Sequence, residues 1–210
     1  EREGKLGGER RNIFRGTSPG LTEAPHLYKR NGYYYLITAE GGTGWNHAVT
    51  LARSHDLLGP YELHPDVHIL SARDRPDAPL QRAGHADLVE TPSGEPWMVY
   101  LCGRPLRDRG RCVLGRETAI QPMRWDDDGW LYTLDGDAMP VVDVDHPADP
   151  PPPTSQRYRF GEPTLPTDFQ WLRTPEAADI FSLTARPGHL RLIGRETIGS
   201  LFTQSLVARR

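Results

Sequence analysis

The chain has 210 residues, enough to bury one hydrophobic core and part of a second. A formal net charge of −3 excludes an electrostatic case for binding nucleic acid or an anionic membrane surface, and no apolar run approaches the length of a membrane span. The 21 glycines and 20 prolines stand beside five Trp and eight Tyr. This composition predicts a turn-rich β protein whose partner is a small molecule or a neutral polymer.

The first predicted hairpin carries a candidate proton donor. Glu23 stands at the mouth of this hairpin, and Pro25 disfavours the helical region for Ala24, so we expect the chain to enter extended. The pair Asn31-Gly32 predicts a tight turn into a second, tyrosine-rich strand. A lone carboxylate in an aromatic setting is a candidate general acid. The alternative is an acid that only ends an edge strand in water.

Similar hairpins recur along the chain. HLYKRNGYYYL from His26 and DLVETPSGEPWMVYL from Asp87 lie about sixty residues apart, and MRWDDDGWLYTL from Met123 repeats the last turn and strand. The run AVTLARS and the segment 61–63 supply outer strands between the first two hairpins. Repeats of this size, built from short antiparallel strands, predict blades of a β-propeller, and no pattern predicts a substantial helix.

The composition changes abruptly after Val144. A proline run that cannot join a sheet predicts an extended spacer. We therefore predict three parts: propeller blades over 1–145, a Pro-rich linker over 146–166, and the opening of a second β domain over 167–210. Its strand-like runs are HLRLIG and SLFTQSLVA.

The cysteines and the two ends of the sequence bear on where the protein acts. Cys102 and Cys112 are too few for a disulfide scaffold and lack metal-ligand spacing, so we expect two free thiols in a cytoplasmic protein. The start, EREGKLGGERRN, has no initiator Met and no apolar segment of a signal peptide. We interpret the sequence as an excerpt that is incomplete at both ends, which leaves a signal peptide of the whole protein open.

Three motifs that suggest chemistry are rejected. GTSPG from Gly16 matches the G-x-S-x-G nucleophile elbow, but Pro19 has no N–H to donate to an oxyanion. His64 and His68 have a metal-like separation without a helix or a third ligand, so we expect them to be exposed. The acidic run 126–128 lacks the spacing of a calcium loop and predicts a hairpin turn.

Polar residues fall just ahead of the predicted inner strands. They are Glu23, His85, and Arg116 with Glu117 in the predicted strand CVLGRETA. Inner strands line the central channel of a propeller, so equivalent residues of successive blades converge on one axis. The alternatives are a structural histidine at 85 and a solvated Arg-Glu ion pair.

Three motifs in order carry a family resemblance: TEAPHLYKRNGYYYLITAEGGTG, AGHADLVET and CVLGRETAIQPMRWDDDGWL. They resemble the β-xylosidases and α-L-arabinofuranosidases of glycoside hydrolase family 43. The resemblance implies an all-β fold, part of a five-bladed β-propeller. It also implies that residues 167–210 begin the β-sandwich domain of the xylosidase-type members.

The resemblance assigns roles to four residues. Glu23 matches the general acid of the motif usually written E-G-P-H, in which Gly is common at the position of Ala24. Arg116 and Thr43 match the pocket for the non-reducing-end sugar. His85 matches a histidine near the propeller axis that meets a calcium ion or a water. No cofactor is required for the reaction, and a structural calcium is left open.

The family's two catalytic aspartates would lie before Glu1, and no Asp of this chain occurs in their motifs. An inverting hydrolase needs a second carboxylate about 6.5 to 9.5 Å from the acid to activate water. We therefore expect this fragment, which lacks the catalytic base, to be inactive by itself.

The expected activity of the whole protein is that of an exo-acting xylan 1,4-β-xylosidase. It would release xylose from xylo-oligosaccharides with inversion, and arabinoxylan-derived oligosaccharides are related candidate substrates. The alternatives are an α-L-arabinofuranosidase, a carbohydrate-binding propeller without turnover, and a non-functional gene fragment. The sequence leaves a homo-oligomer of the full-length protein open.

Overall fold

The computed structural model describes residues 7–8, 10–145, 155–171, 174–195 and 207–209. The chain divides into two compact units, Glu1–Pro147 and Ala148–Arg210. Within the described ranges the secondary structure is β, apart from one 3-10 turn at Ala177–Asp179, and no helix there is long and apolar enough to cross a membrane. The domain boundaries at 145 and 166 stay predictions, and linker residues 146–154 lie outside the described ranges.

The first sheet is a four-stranded antiparallel meander in which each strand pairs with the next along the chain. Asn31 and Gly32 form its first turn with φ of 47° and 82°. Positive φ at both positions is what a two-residue hairpin turn requires. The predicted hairpin and the predicted outer strands are therefore confirmed. The strands are β1 (Glu23–Arg30), β2 (Tyr33–Glu40), β3 (Ala48–Ser54) and β4 (Glu62–Ser71).

The second sheet repeats this order with four further strands. The hairpin that begins at Met123 forms the end of this sheet, where Asp126 accepts a hydrogen bond from the Trp130 backbone N–H at 2.8 Å. The acidic run is thus a hairpin turn, as predicted. The strands are β5 (Gln81–Glu90), β6 (Pro96–Gly103), β7 (Glu117–Trp125) and β8 (Leu131–Thr133).

The main core lies between the two sheets, where β5 packs against β2, β3 and β4. All seven residues of β3, which pairs with β2 and β4 and also packs against β5, are buried. Burying a large apolar side chain such as Leu51 stabilises the folded protein by about 1.5 to 3 kcal/mol. The packing of two four-stranded meanders is that of neighbouring propeller blades. The largest buried members of this core include Tyr35, Ile37, Leu51, Ile69, Leu70, Met98, Tyr100 and Leu131.

The side chain of Arg53, on β3 of the first sheet, contacts the turn at the end of the second sheet. The Arg53 guanidinium lies 3.8 Å from the ring centroid of Trp130 and 4.6 Å from that of Tyr33, and it donates to the Asp128 carbonyl at 2.6 Å. The Tyr35 hydroxyl donates to the Gly129 carbonyl. The turn that carries the acidic run thereby fixes the two blades against each other.

The prediction that His64 and His68 are exposed is wrong. Their residues are only 1% and 8% exposed. His64 packs edge-on against Trp130, and His68 hydrogen-bonds Thr50 at 3.0 Å through Nδ1. Burial lowers the pKa of both imidazoles and favours their neutral forms. These histidines are part of the packing between strands.

The second unit contains four short strands within its described residues: β9 (Phe169–Trp171), β10 (Phe181–Ser182), β11 (Arg191–Leu192) and β12 (Val207–Arg209). β9 pairs with β12, and β10 pairs with β11. β11 falls in the predicted run HLRLIG and β12 overlaps the end of the run SLFTQSLVA, whose residues 200–206 lie outside the described ranges. Tyr158, Phe160 and Phe169 form an aromatic cluster in this unit.

Candidate active site

The inner strands β1 and β5 lie beside each other. The Tyr28 hydroxyl donates to the Asp87 carboxylate, and the same carboxylate lies 3.4 Å from Nδ1 of His26. Farther along, Arg30 donates to Glu90 at 2.9 Å. Burial and the bond to Asp87 raise the pKa of Tyr28, which keeps this hydroxyl a donor. The first strands of the two blades are therefore joined side chain to side chain, as converging inner strands require.

Glu23 begins β1 opposite Ala39, and its side chain is exposed. The chain is extended from His26 to Lys29, as predicted, but Ala24 itself has a left-handed φ of 45°. The pairing of β1 with β2 shifts between Glu23 and His26, so the residues between them form a bulge. Bulges of this kind re-aim a neighbouring side chain. The left-handed conformation also explains why glycine is common at this position of the E-G-P-H motif.

Replacing Ala24 with Gly is expected to raise the free energy of unfolding of the whole protein by about 1 kcal/mol, because a Cβ in the left-handed region is strained. Urea denaturation measures the change. Ala119→Gly is a matched control, since Ala119 lies in β7 without a positive φ and its replacement is expected to destabilise. Loss of stability in Ala24→Gly similar to that of the control would refute the strain at Ala24.

The loop that leads into Glu23 is held by Glu40, a fully buried carboxylate at the end of β2. Glu40 accepts hydrogen bonds from the Thr17 backbone N–H at 2.7 Å, the Thr22 hydroxyl at 2.8 Å and the Thr50 hydroxyl at 2.9 Å. The Thr17 hydroxyl donates to it as well. Burial raises the pKa of Glu40, but these hydrogen bonds outweigh burial and leave the pKa below its ordinary value.

The rejected elbow motif belongs to this same loop. Ser18 lies in a turn, with no helix after it, which agrees with the rejection. Gly16 has a φ of 75°, and a Cβ there would lie 1.8 Å from Oγ1 of Thr22 and 2.6 Å from Oε1 of Glu40. Only glycine fits at this position. Gly16 lets this loop pack closely against Thr22 and Glu40, and the motif supplies no nucleophile.

Thr43 and Arg116 come together from different blades. Nη1 of Arg116 donates to Oγ1 of Thr43 at 3.3 Å, and both residues are exposed. The predicted strand CVLGRETA is wrong in its first half, because Cys112 to Gly115 form a turn and β7 begins only at Glu117. β7 is also the third strand of its sheet, so Arg116 reaches the site from a loop. Glu117 pairs with Arg104 at 2.6 Å.

His47 is a central residue that the sequence did not reveal. It is 3% exposed, and its Nδ1–H donates to the Arg82 carbonyl at 2.9 Å. Burial is the main cause that lowers the pKa of His47. The nearby charges of His85 and Arg116 lower it further, whereas the charge of Glu23 raises it. His47 is therefore a buried ring whose neutral form is favoured and whose orientation the Arg82 carbonyl fixes.

Close packing fixes His47 against β5. A Cβ on Gly84 would lie 2.5 Å from Cδ2 of His47, so the ring rests directly on the glycine backbone. The loop that contains Thr43 leads into His47, and His85 follows Gly84. This contact therefore sets the spacing between the loop of one blade and the inner strand of the next.

His85 is exposed and has a φ of 52°. Calcium prefers six to eight oxygen ligands. Within the described ranges, no group of three or more His, Cys, Asp or Glu residues is arranged to hold a metal ion. The side chains present do not by themselves make a calcium site, and we assign no step of a reaction to one. His85 as a metal neighbour stays an untested prediction.

A cleft of about 650 Å³ lies beside Glu23, within the size range of small-molecule sites. Residues of the loop and of the first two strands line it, including Phe14, Leu21, Thr22, Leu36 and Thr38. Oγ1 of Thr38 is buried and has no hydrogen-bond partner among the described residues. The acid thus stands at the rim of a concave surface that mixes apolar and polar groups.

Comparison with known proteins identifies the family. Residues 1–131 match glycosyl hydrolases family 43, and residues 157–210 match the beta xylosidase C-terminal concanavalin A-like domain. The chain is 58% identical to Xylosidase/arabinosidase 43B of Humicola insolens, over 99% of this chain and 38% of that protein. It is 46% identical to the beta-xylosidase of Bacillus subtilis (strain 168), over 100% of this chain and 41% of that protein.

A solved structure supports the same assignment. The xylan beta-1,4-xylosidase of Bacillus halodurans C-125 is 48% identical, with a TM-score of 0.86 over 100% of this chain and 41% of that one. This chain spans about two fifths of the length of these relatives. The two sheets are blades of a glycosidase propeller. The chain belongs to glycosyl hydrolase family 43, and its fold is part of a five-bladed β-propeller followed by the beginning of a β-sandwich domain.

Proposed function

We propose that the whole protein is an exo-acting xylan 1,4-β-xylosidase that releases xylose from the non-reducing ends of xylo-oligosaccharides. The main support is that a chain of family 43 carries Glu23 at the start of β1 and brings Arg116 and Thr43 from different blades within hydrogen-bond distance. An acid supplies the proton donor, and a guanidinium and a hydroxyl supply groups that bind the sugar; the second carboxylate that inversion needs is not among them. The names of the relatives favour xylosides as substrates.

In the proposed reaction Glu23 protonates the glycosidic oxygen as the bond to the leaving group breaks. A second carboxylate of the whole protein activates water on the opposite face of the sugar, which inverts the anomeric centre. We assign only the acid to these residues. The bulge at Ala24 orients the acid, and the hydrogen bonds from Thr17 and Thr22 to Glu40 hold the loop that leads into it.

Arg116 and Thr43 have the complementary role of holding the sugar. Their side chains are exposed and already hydrogen-bonded to each other, so both present polar groups toward solvent without a large rearrangement. A guanidinium offers five N–H donors in a fixed plane and can bind two sugar hydroxyls at once. Two contacts to neighbouring hydroxyls of the sugar depend on the orientation of both hydroxyls, and this orientation differs from one pentose to another.

Arg116→Ala is expected to lower kcat/KM for xylosides, because a charged contact to the sugar is lost. The ratio of the two kcat/KM values is expected to correspond to a loss of about 2 to 4 kcal/mol of transition-state stabilisation. Melting temperature is expected to change little, since Arg116 is exposed. Arg104→Ala is the matched control: Arg104 is an exposed arginine that pairs with Glu117, next to Arg116, and its loss should leave kcat/KM unchanged. Normal kinetics with a much lower melting temperature in Arg116→Ala would make this residue structural.

The proposed function is tested by assaying the purified whole protein on 4-nitrophenyl β-D-xyloside and 4-nitrophenyl α-L-arabinofuranoside. Proton NMR then identifies the anomer of the first-formed sugar. We expect faster release from the xyloside and α-xylose as the initial product. Faster release from the arabinofuranoside would support the second candidate, an α-L-arabinofuranosidase, which the mixed name of the Humicola relative also favours. No release from either substrate would favour a carbohydrate-binding propeller.

A cytoplasmic location is part of the proposal. Cys102 and Cys112 are both free, and Cys102 is buried. Burial raises the pKa of the Cys102 thiol, which keeps it protonated and unreactive. Unpaired thiols are typical of a reducing compartment. Fractionation of cells that express the whole gene, followed by detection of the protein, tests this location.

A further inference from the structure

A second cleft of about 590 Å³ lies on the propeller unit and is rich in arginine. We call it the arginine cleft. Its main lining residues are Trp45, Arg82, Leu106, Arg107, Arg109 and Arg111. Most of them belong to the loop between β6 and β7, and among the residues that the structure describes no acidic side chain lines the cleft. Asp108, the acid in that loop, is not among the lining residues.

The charges in the arginine cleft are not neutralised within the described part of the chain. There, Arg107 and Arg111 have no carboxylate within ion-pair distance, and Nε of Arg82 is buried without an acceptor. Other arginines of the same unit do have partners, as Arg30 has Glu90 and Arg75 has Asp77. Like charges that face one cleft repel, so this arrangement favours an anion as the occupant.

The remaining two cations are held in place. The Arg82 guanidinium lies 4.3 Å from the ring centroid of Trp45, a cation–π contact. Nη2 of Arg109 donates to the Arg73 carbonyl at 2.6 Å. Side chains that are fixed before a ligand arrives lose less conformational entropy on binding. The arginine cleft is therefore partly preorganised.

The arginine cleft is built from the same loops and the same strand as the candidate sugar site. Trp45 lies two residues after Thr43, in the loop that ends at His47. The Arg82 carbonyl accepts the hydrogen bond from His47, and Arg82 lies three residues before His85 on β5. An oligosaccharide with one unit at Thr43 and Arg116 therefore has the arginine cleft as a neighbouring surface.

We propose that the arginine cleft binds a carboxylate-bearing sugar, a uronate unit attached to the oligosaccharide substrate. Guanidinium groups bind carboxylates through two parallel N–H donors, and Trp45 with Leu106 supplies the apolar surface on which a sugar ring packs. The preference for a uronate over another carboxylate rests on the proposed glycosidase function. Through this contact the protein would favour acidic oligosaccharides over neutral ones.

The experiment measures binding and turnover separately in the whole protein. Isothermal titration with D-glucuronate and inorganic phosphate reports on the arginine cleft, and hydrolysis of neutral 4-nitrophenyl β-D-xyloside reports on the proposed function. Hydrolysis of xylotriose with and without a glucuronate branch measures the preference. We expect Arg107→Gln combined with Arg111→Gln to weaken glucuronate binding at least about tenfold and to abolish the preference for the branched substrate, with neutral turnover unchanged.

Arg191→Gln is the control, because Arg191 is an exposed arginine on β11 of the other unit. Wild-type binding of phosphate as tightly as glucuronate would overturn the proposal in favour of a general anion site. Unchanged glucuronate affinity in the double variant, or no glucuronate binding by the wild type, would also overturn it. If neutral turnover is absent while glucuronate binds, the proposed xylosidase function fails and the anion site stands.

Discussion

Glu23→Gln in the whole protein is expected to lower kcat for xylobiose by about a hundred- to ten-thousand-fold, the contribution of a general acid. A sugar leaving group needs a proton as the bond breaks, and an amide cannot supply one. 4-Nitrophenyl β-D-xyloside is expected to lose much less, because its leaving group is stable as an anion. The measurement is kcat for a series of xylosides whose leaving groups differ in pKa, in the wild type and in the variant.

The dependence on the leaving group is what separates an acid from a merely structural carboxylate. Glu95→Gln is a matched control, since Glu95 is an exposed glutamate in the turn between β5 and β6 whose carboxylate accepts hydrogen bonds from the Thr91 and Ser93 side chains of that turn. The control should leave every substrate unaffected. Equal losses on xylobiose and on the activated aryl xyloside would remove Glu23 from the role of acid.

Glu40→Gln is expected to destabilise the whole protein by about 3 to 5 kcal/mol. Hydrogen bonds to a buried charge contribute about 1.5 to 3 kcal/mol each, and the new amide N–H₂ would face groups that donate to Glu40 now. Those donors are the Thr17 N–H and the hydroxyls of Thr17, Thr22 and Thr50. Urea denaturation at pH 7 measures the loss.

The effect of Glu40 also depends on pH. Its pKa in the folded protein lies below the ordinary value of 4.5, so its stabilising contribution is complete above that pH and is lost as the pH falls toward the folded-state pKa. The difference in stability between wild type and Glu40→Gln should therefore shrink in acid. Glu90→Gln is the control, an exposed partner of Arg30 whose loss should cost less than about 1 kcal/mol. A constant difference from pH 7 to pH 3 would contradict the role of the Glu40 charge.

Local signals made much of the fold predictable. Asn31-Gly32 and Asp128-Gly129 gave hairpins, because positive φ at a turn is a property of the turn residues themselves. The repetition of hairpins predicted blades, and two four-stranded sheets resulted. The family resemblance placed Arg116 and Thr43 at one sugar pocket, but their hydrogen bond was not predicted, since 73 residues separate them.

Other features depend on contacts that no local pattern encodes. Glu40 looks like the polar end of a strand, yet its partners Thr17 and Thr22 arrive from a loop 18 to 23 residues earlier. His47 is held by a carbonyl 35 residues away. The one sequence feature that pointed to Glu40 was its position at the end of an apolar strand, directly before two glycines.

Strand pairing gave two short segments a conformation that their residues alone do not indicate. His64 and His68 were expected to be exposed because no helix or third ligand was evident, but irregular pairing of β4 with β3 places both inside the sheet packing. The chain is extended from His26 to Lys29 as predicted, yet the bulge before this segment gives Ala24 a positive φ. In both cases the pairing of neighbouring strands overrides the preference of a short segment.

The assigned site is tested most directly by a crystal structure of the whole protein with Glu23→Gln in complex with xylobiose. We predict that the amide at position 23 lies within hydrogen-bond distance of the glycosidic oxygen, and that Arg116 and Thr43 contact hydroxyls of the non-reducing xylose. Xylobiose bound away from these three residues, or bound with its glycosidic oxygen out of reach of position 23, would contradict the assignment of this site.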